Sequence, residues 1–229
     1  VVRRRWFFRW WRFLWGRRRL RGLVGMFLTD QEKQNISDAI RTAESQTSGE
    51  IVTVIAQAAD DYFYIPTLWA GLLALLTPGL LLTLPVEIDY TLIYGTQVLV
   101  FVVASMLFRW TPLKLALIPK PIKHRRASRL AHEQFILQGL HQTRERNGLL
   151  LFVSVAERYV EIIADQGIND CVQKDTWSSI VGEFVGHVKQ RKIADGFIAA
   201  IKQSGDILQQ HFPAEPVNKN ELPNHLIEL

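Results

Sequence analysis

The chain has 229 residues, of which 48% are hydrophobic and 21% charged, so it can bury a core and is not a disordered protein. Its formal net charge of +5 originates in the first 25 residues, which hold nine of the 27 Lys and Arg and none of the 22 acids. Residues 26–229 therefore carry 18 basic and 22 acidic residues, a balance of −4 that offers no basic surplus to nucleic acid. The single cysteine, Cys171, excludes an intramolecular disulfide and a cysteine-rich zinc site, and it fits a reducing compartment.

Residues 1–25 form a basic aromatic N-terminal arm in which Arg is interspersed with Trp and Phe. Such an arm suits anionic lipid headgroups, because indole rings favour the membrane interface and guanidinium groups pair with phosphates. The alternative is that translation starts at Met26 and the arm is not made, since the chain begins with Val and the arm contains no Lys. The arm is not a secretory signal, because it lacks an uninterrupted apolar stretch of the usual length.

The next segment predicts a helix followed by a buried strand. Thr29 and Glu32 have the spacing of a capping box, and apolar residues then recur at helical intervals as far as Ala43. The run at 51–55 is rich in β-branched residues and follows a Ser-Gly pair, which favours a short strand.

Two uncharged apolar stretches, at 65–84 and 91–108, come next. Each is long enough to cross about 30 Å of hydrocarbon at about 1.5 Å per residue. We therefore predict a transmembrane hairpin over 63–111, with spans at about 65–84 and 91–110. No ionisable residue lies within either uncharged stretch, which argues against a proton or ion relay. The alternative is a pair of buried core helices in a soluble protein.

Charge predicts the orientation of this hairpin. The short connection between the spans contains Glu87 and Asp89 and no Lys or Arg, whereas six basic residues follow the second span within 109–126. Basic loops are retained on the cytoplasmic side of membranes. Both soluble portions are therefore expected in the cytoplasm, with the connection on the outer side.

The remaining residues predict a linker, a second α/β segment and a tail. Prolines at 112, 119 and 121 predict an irregular linker over 112–123, and a helix is expected from about 127 to 146. Apolar runs at 149–155 and 159–164 flank a polar turn and predict two adjacent antiparallel strands. Two helices with apolar stripes extend to about 212. Residues 213–229 contain three prolines and predict an extended, poorly packed C-terminal tail.

Three segments carry a family resemblance: Ser48-Gly49-Glu50-Ile51-Val52-Thr53-Val54, the stretch 146–155 that reads RNGLLLFVSV, and the stretch 160–168 that reads VEIIADQGI. In this order, among the predicted helices, they resemble the TPM domain family. The match is to its bacterial membrane branch, in which two transmembrane helices interrupt the domain. The resemblance covers about 27–60 and 124–229, including Asn220-Glu221-Leu222-Pro223. Its motifs are structural more than catalytic.

The resemblance implies an α/β/α sandwich with a small mixed sheet, interrupted by the two-helix transmembrane hairpin. Residues 26–62 would form the first part of the domain and residues 124–212 the second. It also implies a multi-pass protein of the bacterial inner membrane. Plant thylakoid members of the wider family are described as acid phosphatases and as photosystem repair factors, and some bacterial members resemble calcium binders. The membrane branch has no settled biochemical function.

Carboxylates are the best candidates for a site, because hydrolases and hard-cation sites need two or more of them at one point. If the first two predicted strands are parallel, the acids that follow the first strand lie at one end of the sheet, and those that follow the last strand lie at the other. The resemblance favours Asp165 and Asp170 as ligands of calcium or another divalent cation. The alternative cluster is Asp60, Asp61 and Glu157. All five also fit ordinary turns, helix caps or a membrane boundary.

We therefore expect a membrane protein whose cytoplasmic TPM-like domain binds a protein partner or another ligand. The sequence establishes no cofactor, and the candidate is calcium or another divalent cation. The alternative is a metal-assisted phosphatase that hydrolyses phosphomonoesters at the acidic cluster. A pore would need a homo-oligomer, for which small residues in the spans could support helix packing. The expected partners are the lipid bilayer and a protein, with no nucleic acid. No glycine-rich phosphate loop or zinc-protease motif occurs in the sequence.

Overall fold

The computed structural model describes residues 28–83, 85, 89–109, 111–214, 222 and 225–229. Within these residues the chain divides into two compact units. The sheet unit comprises the described residues up to Gln57 and from Ser128 onward, and the hairpin unit is Ala58–Ala127. The arm at 1–25 lies outside the described residues, so both interpretations of it stay predictions.

The sheet unit is built on four strands, β1 (Glu50–Ala56), β2 (Gly148–Ser154), β3 (Tyr159–Ala164) and β4 (Leu226–Glu228). Their order across the sheet is β3-β2-β1-β4. Strand β1 is parallel to both β2 and β4, whereas β2 and β3 are antiparallel. This mixed sheet confirms the predicted α/β class and the predicted antiparallel pairing of β2 and β3. Strands β1 and β2 are parallel, which is the condition on which the grouping of the acids depends.

Helices cover both faces of the sheet. Those of the sheet unit are α1 (Asp30–Glu44), the part of α5 (Lys120–Leu137) from Ser128 onward, α6 (Gln166–Cys171), α7 (Lys174–Lys189) and α8 (Ile193–His211). On one face, the buried core joins β-branched and leucine side chains of the sheet to α1, α7 and α8. On the other face, Phe152 is 0% exposed, and Ser128 of α5 hydrogen-bonds to Glu161 of β3.

Helix α1 begins with the predicted capping box. The Thr29 hydroxyl accepts a hydrogen bond from the Glu32 N–H at 3.2 Å, and the Glu32 carboxylate accepts one from the Thr29 N–H at 2.6 Å. These bonds lower the pKa of Glu32 below its usual range, because the charged carboxylate is the better acceptor. The local sequence signal therefore predicts the start of this helix correctly.

The prediction of an irregular linker followed by a helix at about 127–146 is wrong. The structure has a short helix α4 (Thr111–Ala116), and α5 already begins at Lys120. Pro112 and Pro121 each lie in the first turn of a helix, where the missing N–H has no intrahelical partner to lose. Helix α5 ends at Leu137, and Gly139 follows with a φ of 78°, a conformation that terminates helices.

The tail is also better packed than its prolines predict. Strand β4 pairs with β1, and Leu226 is 8% exposed in the core of the sheet unit. Farther back, Pro213 forms a bridge with Thr47, whose hydroxyl donates to the Phe212 carbonyl at 2.5 Å. The ends of this segment are therefore fixed to the domain.

The hairpin unit contains two long helices, α2 (Tyr64–Leu82) and α3 (Tyr90–Leu107), which contact each other along their length. The described connection residues between them include Pro85 and Asp89, whereas Glu87 lies outside the described residues. The buried side chains of the two helices include the small residues Ala70, Ala74 and Ala104. Small residues of this kind allow close packing of two helices.

Candidate functional site

The candidate site lies at the edge of the sheet where β1 and β2 begin and β3 ends. Glu50 pairs with Gly148 and Leu149 pairs with Ala164 in the strand register. Residues just before β1, just before β2 and just after β3 are therefore neighbours. This edge holds Asp165, the first of the predicted ligands.

Asp165 caps the short helix α6. Its Oδ1 accepts a hydrogen bond from the Gln166 N–H at 2.8 Å and lies 3.7 Å from the Arg146 guanidinium. Its backbone N–H donates to the Gly148 carbonyl at 2.9 Å. The side chain is only 9% exposed, and its second oxygen, Oδ2, is buried with no hydrogen-bond partner among the described residues. A buried carboxylate oxygen in this state can accept a further donor.

Helix α6 packs directly on the backbone that precedes β2. The Gly167 N–H donates to the Arg146 carbonyl at 3.0 Å. A Cβ at residue 167 would lie 2.6 Å from the Glu145 carbonyl oxygen and 2.8 Å from that of Arg146. Arg146 itself has a φ of 54°, in the left-handed region. Glycine at 167 is therefore what allows α6, with its cap Asp165, to approach this turn.

Three further polar side chains at the same edge were not predicted as site residues. The Asn147 side-chain amide donates to the Ser48 carbonyl at 2.9 Å and lies 3.4 Å from the Glu145 carboxylate. The Ser48 hydroxyl donates to Glu145 at 3.1 Å. The available signal was that Ser48 and Asn147 directly precede two predicted strands, which begin at the same edge of the sheet if they are parallel. With Arg146, these residues make the edge a connected polar surface.

Asp170 does not join this network. Asp170 is exposed in the last turn of α6. Its side chain forms no hydrogen bond or ion pair with the described residues. Across the described part of the chain, no three His, Cys, Asp or Glu side chains are grouped so that they could hold a metal ion. The donor set around Asp165 contains an arginine rather than a second carboxylate, which does not suit calcium. Metal binding by Asp165 and Asp170 stays a prediction.

The alternative acids are divided between the two units. Glu157 lies in the β2–β3 turn of the sheet unit, where it is 4% exposed and accepts a hydrogen bond from the Ser154 hydroxyl. Because β2 and β3 are antiparallel, Glu157 and Asp165 lie at opposite ends of this strand pair. In the hairpin unit, Asp60 pairs with Arg126 at 3.3 Å, and the Asp61 carbonyl accepts from Lys114 at 2.9 Å.

A second polar group lies on the face of the sheet that α5 covers. The Ser128 hydroxyl donates to Glu161 Oε1 at 3.4 Å, and Glu161 Oε2 is buried with no partner among the described residues. Burial raises the pKa of the neighbouring Tyr159, and the Glu161 carboxylate raises it further. The bond from Ser128 to Glu161 joins α5 to β3, so we assign this group a structural role.

Residues 94–207 match the family model described as the TPM domain. The matched span begins within α3 and ends within α8, and it contains both Arg146 and Asp165. These matched residues, which make up just under half of the chain, are similar to the TPM domain. The match begins after β1, whereas the sheet unit also includes α1 and β1, so the folded unit extends beyond the matched residues.

A solved structure shares the fold of this chain. It is the NMR structure of the BA42 protein from the psychrophilic bacterium Bizionia argentinensis sp. nov., with a TM-score of 0.55 and 24% identity. The similarity covers 88% of this chain and 95% of BA42. No curated protein matches the chain. At this identity the likeness establishes the fold alone.

Proposed function

We propose that the protein is an integral protein of the bacterial inner membrane, in the membrane branch of the TPM family. In this proposal, α2 and α3 span the bilayer as a hairpin and hold the TPM domain in the cytoplasm. The domain serves as a binding module for a protein partner. The observation that carries the membrane assignment is the exposure of the large apolar side chains of both helices.

This exposure supports a membrane hairpin over a pair of buried core helices. Only 28% of an apolar 18-residue stretch of α2 and 11% of the corresponding stretch of α3 is buried. Core helices of soluble proteins are mostly buried, whereas lipid-facing helices leave their apolar side chains outside the protein. The most exposed large side chains include Leu75, Leu76, Leu80, Leu82, Tyr90, Tyr94, Val98 and Met106. An apolar surface of this extent in water would favour aggregation.

Contacts within the hairpin unit support the proposed cytoplasmic end. At the start of α2, the Arg126 guanidinium lies 6.0 Å from the Tyr64 ring centroid, and Lys114 lies 6.0 Å from that of Phe63. Aromatic rings beside cations are typical of the region where a chain leaves a membrane. From Tyr90 to His132 the sequence contains no Asp or Glu. The positive charge therefore concentrates at the end of the hairpin that we assign to the cytoplasm.

The geometry of the Asp165 edge supports binding more than catalysis. Its hydrogen bonds fix α6 and the turn before β2, and Asp170 lies outside the network. One observation favours the second candidate, a metal-assisted phosphatase: within the described part of the chain, the buried Asp165 Oδ2 atom has no hydrogen-bond partner. That candidate needs a donor set which the described residues do not bring together, so binding is the function that we propose.

The test uses the full chain expressed in bacteria. Inner membranes are washed with alkaline carbonate, which releases peripheral proteins, and the chain should stay in the pellet. From a mild detergent extract, the tagged chain should then co-purify a protein that an excess of untagged chain displaces. Release by carbonate would overturn the membrane assignment. Capture that the untagged chain does not reduce would overturn the binding role.

A further inference from the structure

We propose that the outer edge of β1 is a docking edge for an extended peptide of a partner protein, and that residues 226–229 of this chain cover it in cis. The peptide that fits carries an aliphatic residue followed two positions later by an acidic residue. This inference deepens the proposed binding role and rests on it, because it names a surface and a class of partner.

The main chain of β1 binds this segment as it would bind any parallel strand. Thr53 lies opposite Leu226, and Ile55 lies opposite Glu228. The Leu229 N–H donates to the Ile55 carbonyl at 2.9 Å, and the Gln57 N–H donates to the Leu229 carbonyl at 2.9 Å. Bonds between backbones give affinity without regard to side chains. Selectivity must therefore come from the side chains at 226 and 228.

Two side chains provide that selectivity. Leu226 is 8% exposed and belongs to the same buried core as Ile51 and Ile55. Glu228 forms an ion pair with Lys33 of α1, with 2.7 Å between Oε1 and Nζ. Lys33 also lies 3.7 Å from Asp30, but the Asp30 side chain is fully exposed. A polar residue at the first position or a basic residue at the second would therefore fit poorly.

The covering segment is suited to exchange. Strand β4 has three residues against seven in β1, and its main contacts are with β1 and α1. Short edge elements with few contacts open at a small fraction of the global unfolding free energy. By contrast, β1 and β2 pair over all seven residues of each strand. The sheet can therefore release β4 while the core strands stay paired.

The length of the connection favours a different protein over a second copy as the incoming partner. Pro213 is fixed beside Thr47, before β1, and Leu226 pairs with Thr53. Six strand residues span about 20 Å, whereas the 13 residue steps from 213 to 226 can reach about 43 Å. Because this connection is longer than the distance that it has to cover, strain does not favour exchange with the identical segment of a second copy. The cis segment then covers the edge as an intramolecular competitor.

The test measures binding of a fluorescent peptide with the sequence of residues 222–229, LPNHLIEL, to detergent-solubilised protein. A chain that ends at Ala214 should bind it at least about tenfold more tightly than the full chain, which carries the cis competitor. Lys33→Glu in the shortened chain should weaken binding about tenfold. A peptide with Lys at the position of Glu228 should restore binding to Lys33→Glu and bind poorly to the Lys33 chain. A scrambled peptide is the control.

If the shortened chain lacks the circular dichroism and thermal transition of the full chain, the full-length variant Glu228→Lys replaces it. Loss of the Lys33 ion pair should loosen the cis strand and increase peptide binding over the unmodified chain. Absence of binding to a folded shortened chain, or binding that is insensitive to Lys33→Glu, would overturn the proposal. A full-length dimer that becomes monomeric on shortening would assign the edge to a second copy and also overturn it. Carbonate extraction of the same chains separates this failure from failure of the membrane assignment.

Discussion

Gly167 lies at a position of the candidate site that leaves no room for a side chain. In Gly167→Ala, the new Cβ would meet two backbone carbonyl oxygens at 2.6 and 2.8 Å, and backbone atoms cannot rotate away as a side chain can. We expect the variant to lower the free energy of unfolding by about 1–3 kcal/mol in urea titrations, as overpacking does. Gly182→Ala, in α7, is the control: outside its own helix backbone, the new Cβ would have no described atom within 4 Å, so the variant should stabilise by about 0.5–1 kcal/mol. Equal losses in both variants would contradict this account of the close contact.

Asp165 and Asp170 differ in how their carboxylates are held, and a pair of alanine variants tests the difference. Asp165→Ala removes the cap of α6 and the ion pair with Arg146, so we expect a loss of about 1–2 kcal/mol in unfolding free energy. Asp170 is exposed, and Asp170→Ala should stay within about 0.5 kcal/mol of the unmodified chain. A larger loss from Asp170→Ala than from Asp165→Ala would show that the described network is not what stabilises this edge.

A variant of the same two acids tests the prediction that they bind calcium. An Asp165→Asn, Asp170→Asn double variant keeps the side-chain shapes but removes both charges. If the acids only shape a turn and a cap, its melting temperature should differ from that of the unmodified chain by the same amount with and without calcium. A calcium-dependent rise in the unmodified chain alone, accompanied by calcium-dependent hydrolysis of a phosphomonoester, would instead favour the phosphatase.

Ionisation of Tyr159 should lower the free energy of unfolding as the pH rises through the alkaline range. Burial raises the pKa of its phenol in the folded protein, whereas in the unfolded chain the group ionises near its usual value of about 10. The unfolded state therefore loses its proton first, and the stability contributed by the neutral phenol declines as pH rises from about 10 toward the folded pKa. Tyr159→Phe should reduce the fall in unfolding free energy between pH 9 and 11, measured with urea. Tyr90→Phe, at a tyrosine that is 76% exposed, should leave the fall unchanged.

At the level of elements, the sequence predicts best those structures whose signals are local. The capping box at Thr29 gives the start of α1, and the apolar runs around the Glu157 turn give β2 and β3. Strand β4 has no such signal, because three residues after a proline-rich stretch become a strand only when β1 offers an edge. The sequence pattern predicts the start of α5 too late, because prolines disrupt the interior of a helix but are tolerated in its first turn.

A charged substitution in the hairpin helices should have different effects in water and in a lipid bilayer. Leu76 in α2 is 68% exposed, so in water Leu76→Lys would change stability little. At the centre of a membrane span, a lysine costs about 2.5–3.5 kcal/mol of insertion free energy. We therefore expect Leu76→Lys to lower the carbonate-resistant fraction of the protein in isolated membranes. Leu137→Lys, at an equally exposed leucine of α5 that is 73% accessible, is the matched control and should not lower it.

At the scale of the whole molecule, part of the candidate site follows from the sequence and part does not. Asp165 is predictable, because it directly follows an apolar strand and because the family resemblance includes its segment. Its partners are not, since Arg146 comes from the turn before β2 and meets Asp165 only when β2 and β3 pair. Ser48 and Asn147 are neighbours only because β1 and β2 run parallel from the same edge. Asp60 and Asp61 belong to the hairpin unit, whereas Glu157 belongs to the sheet unit.

In the function proposed above, the hairpin spans the membrane and leaves the sheet unit in the cytoplasm, and cysteine labelling in intact cells tests this central claim most directly. In a Cys171→Ser background, Asp89→Cys lies in the connection between α2 and α3, and Lys202→Cys lies at an exposed position of α8. A membrane-impermeant maleimide applied to the outer side of the inner membrane should label only Asp89→Cys, and both variants should react after lysis. Labelling of Lys202→Cys before lysis, or failure of Asp89→Cys to react until lysis, would contradict the account.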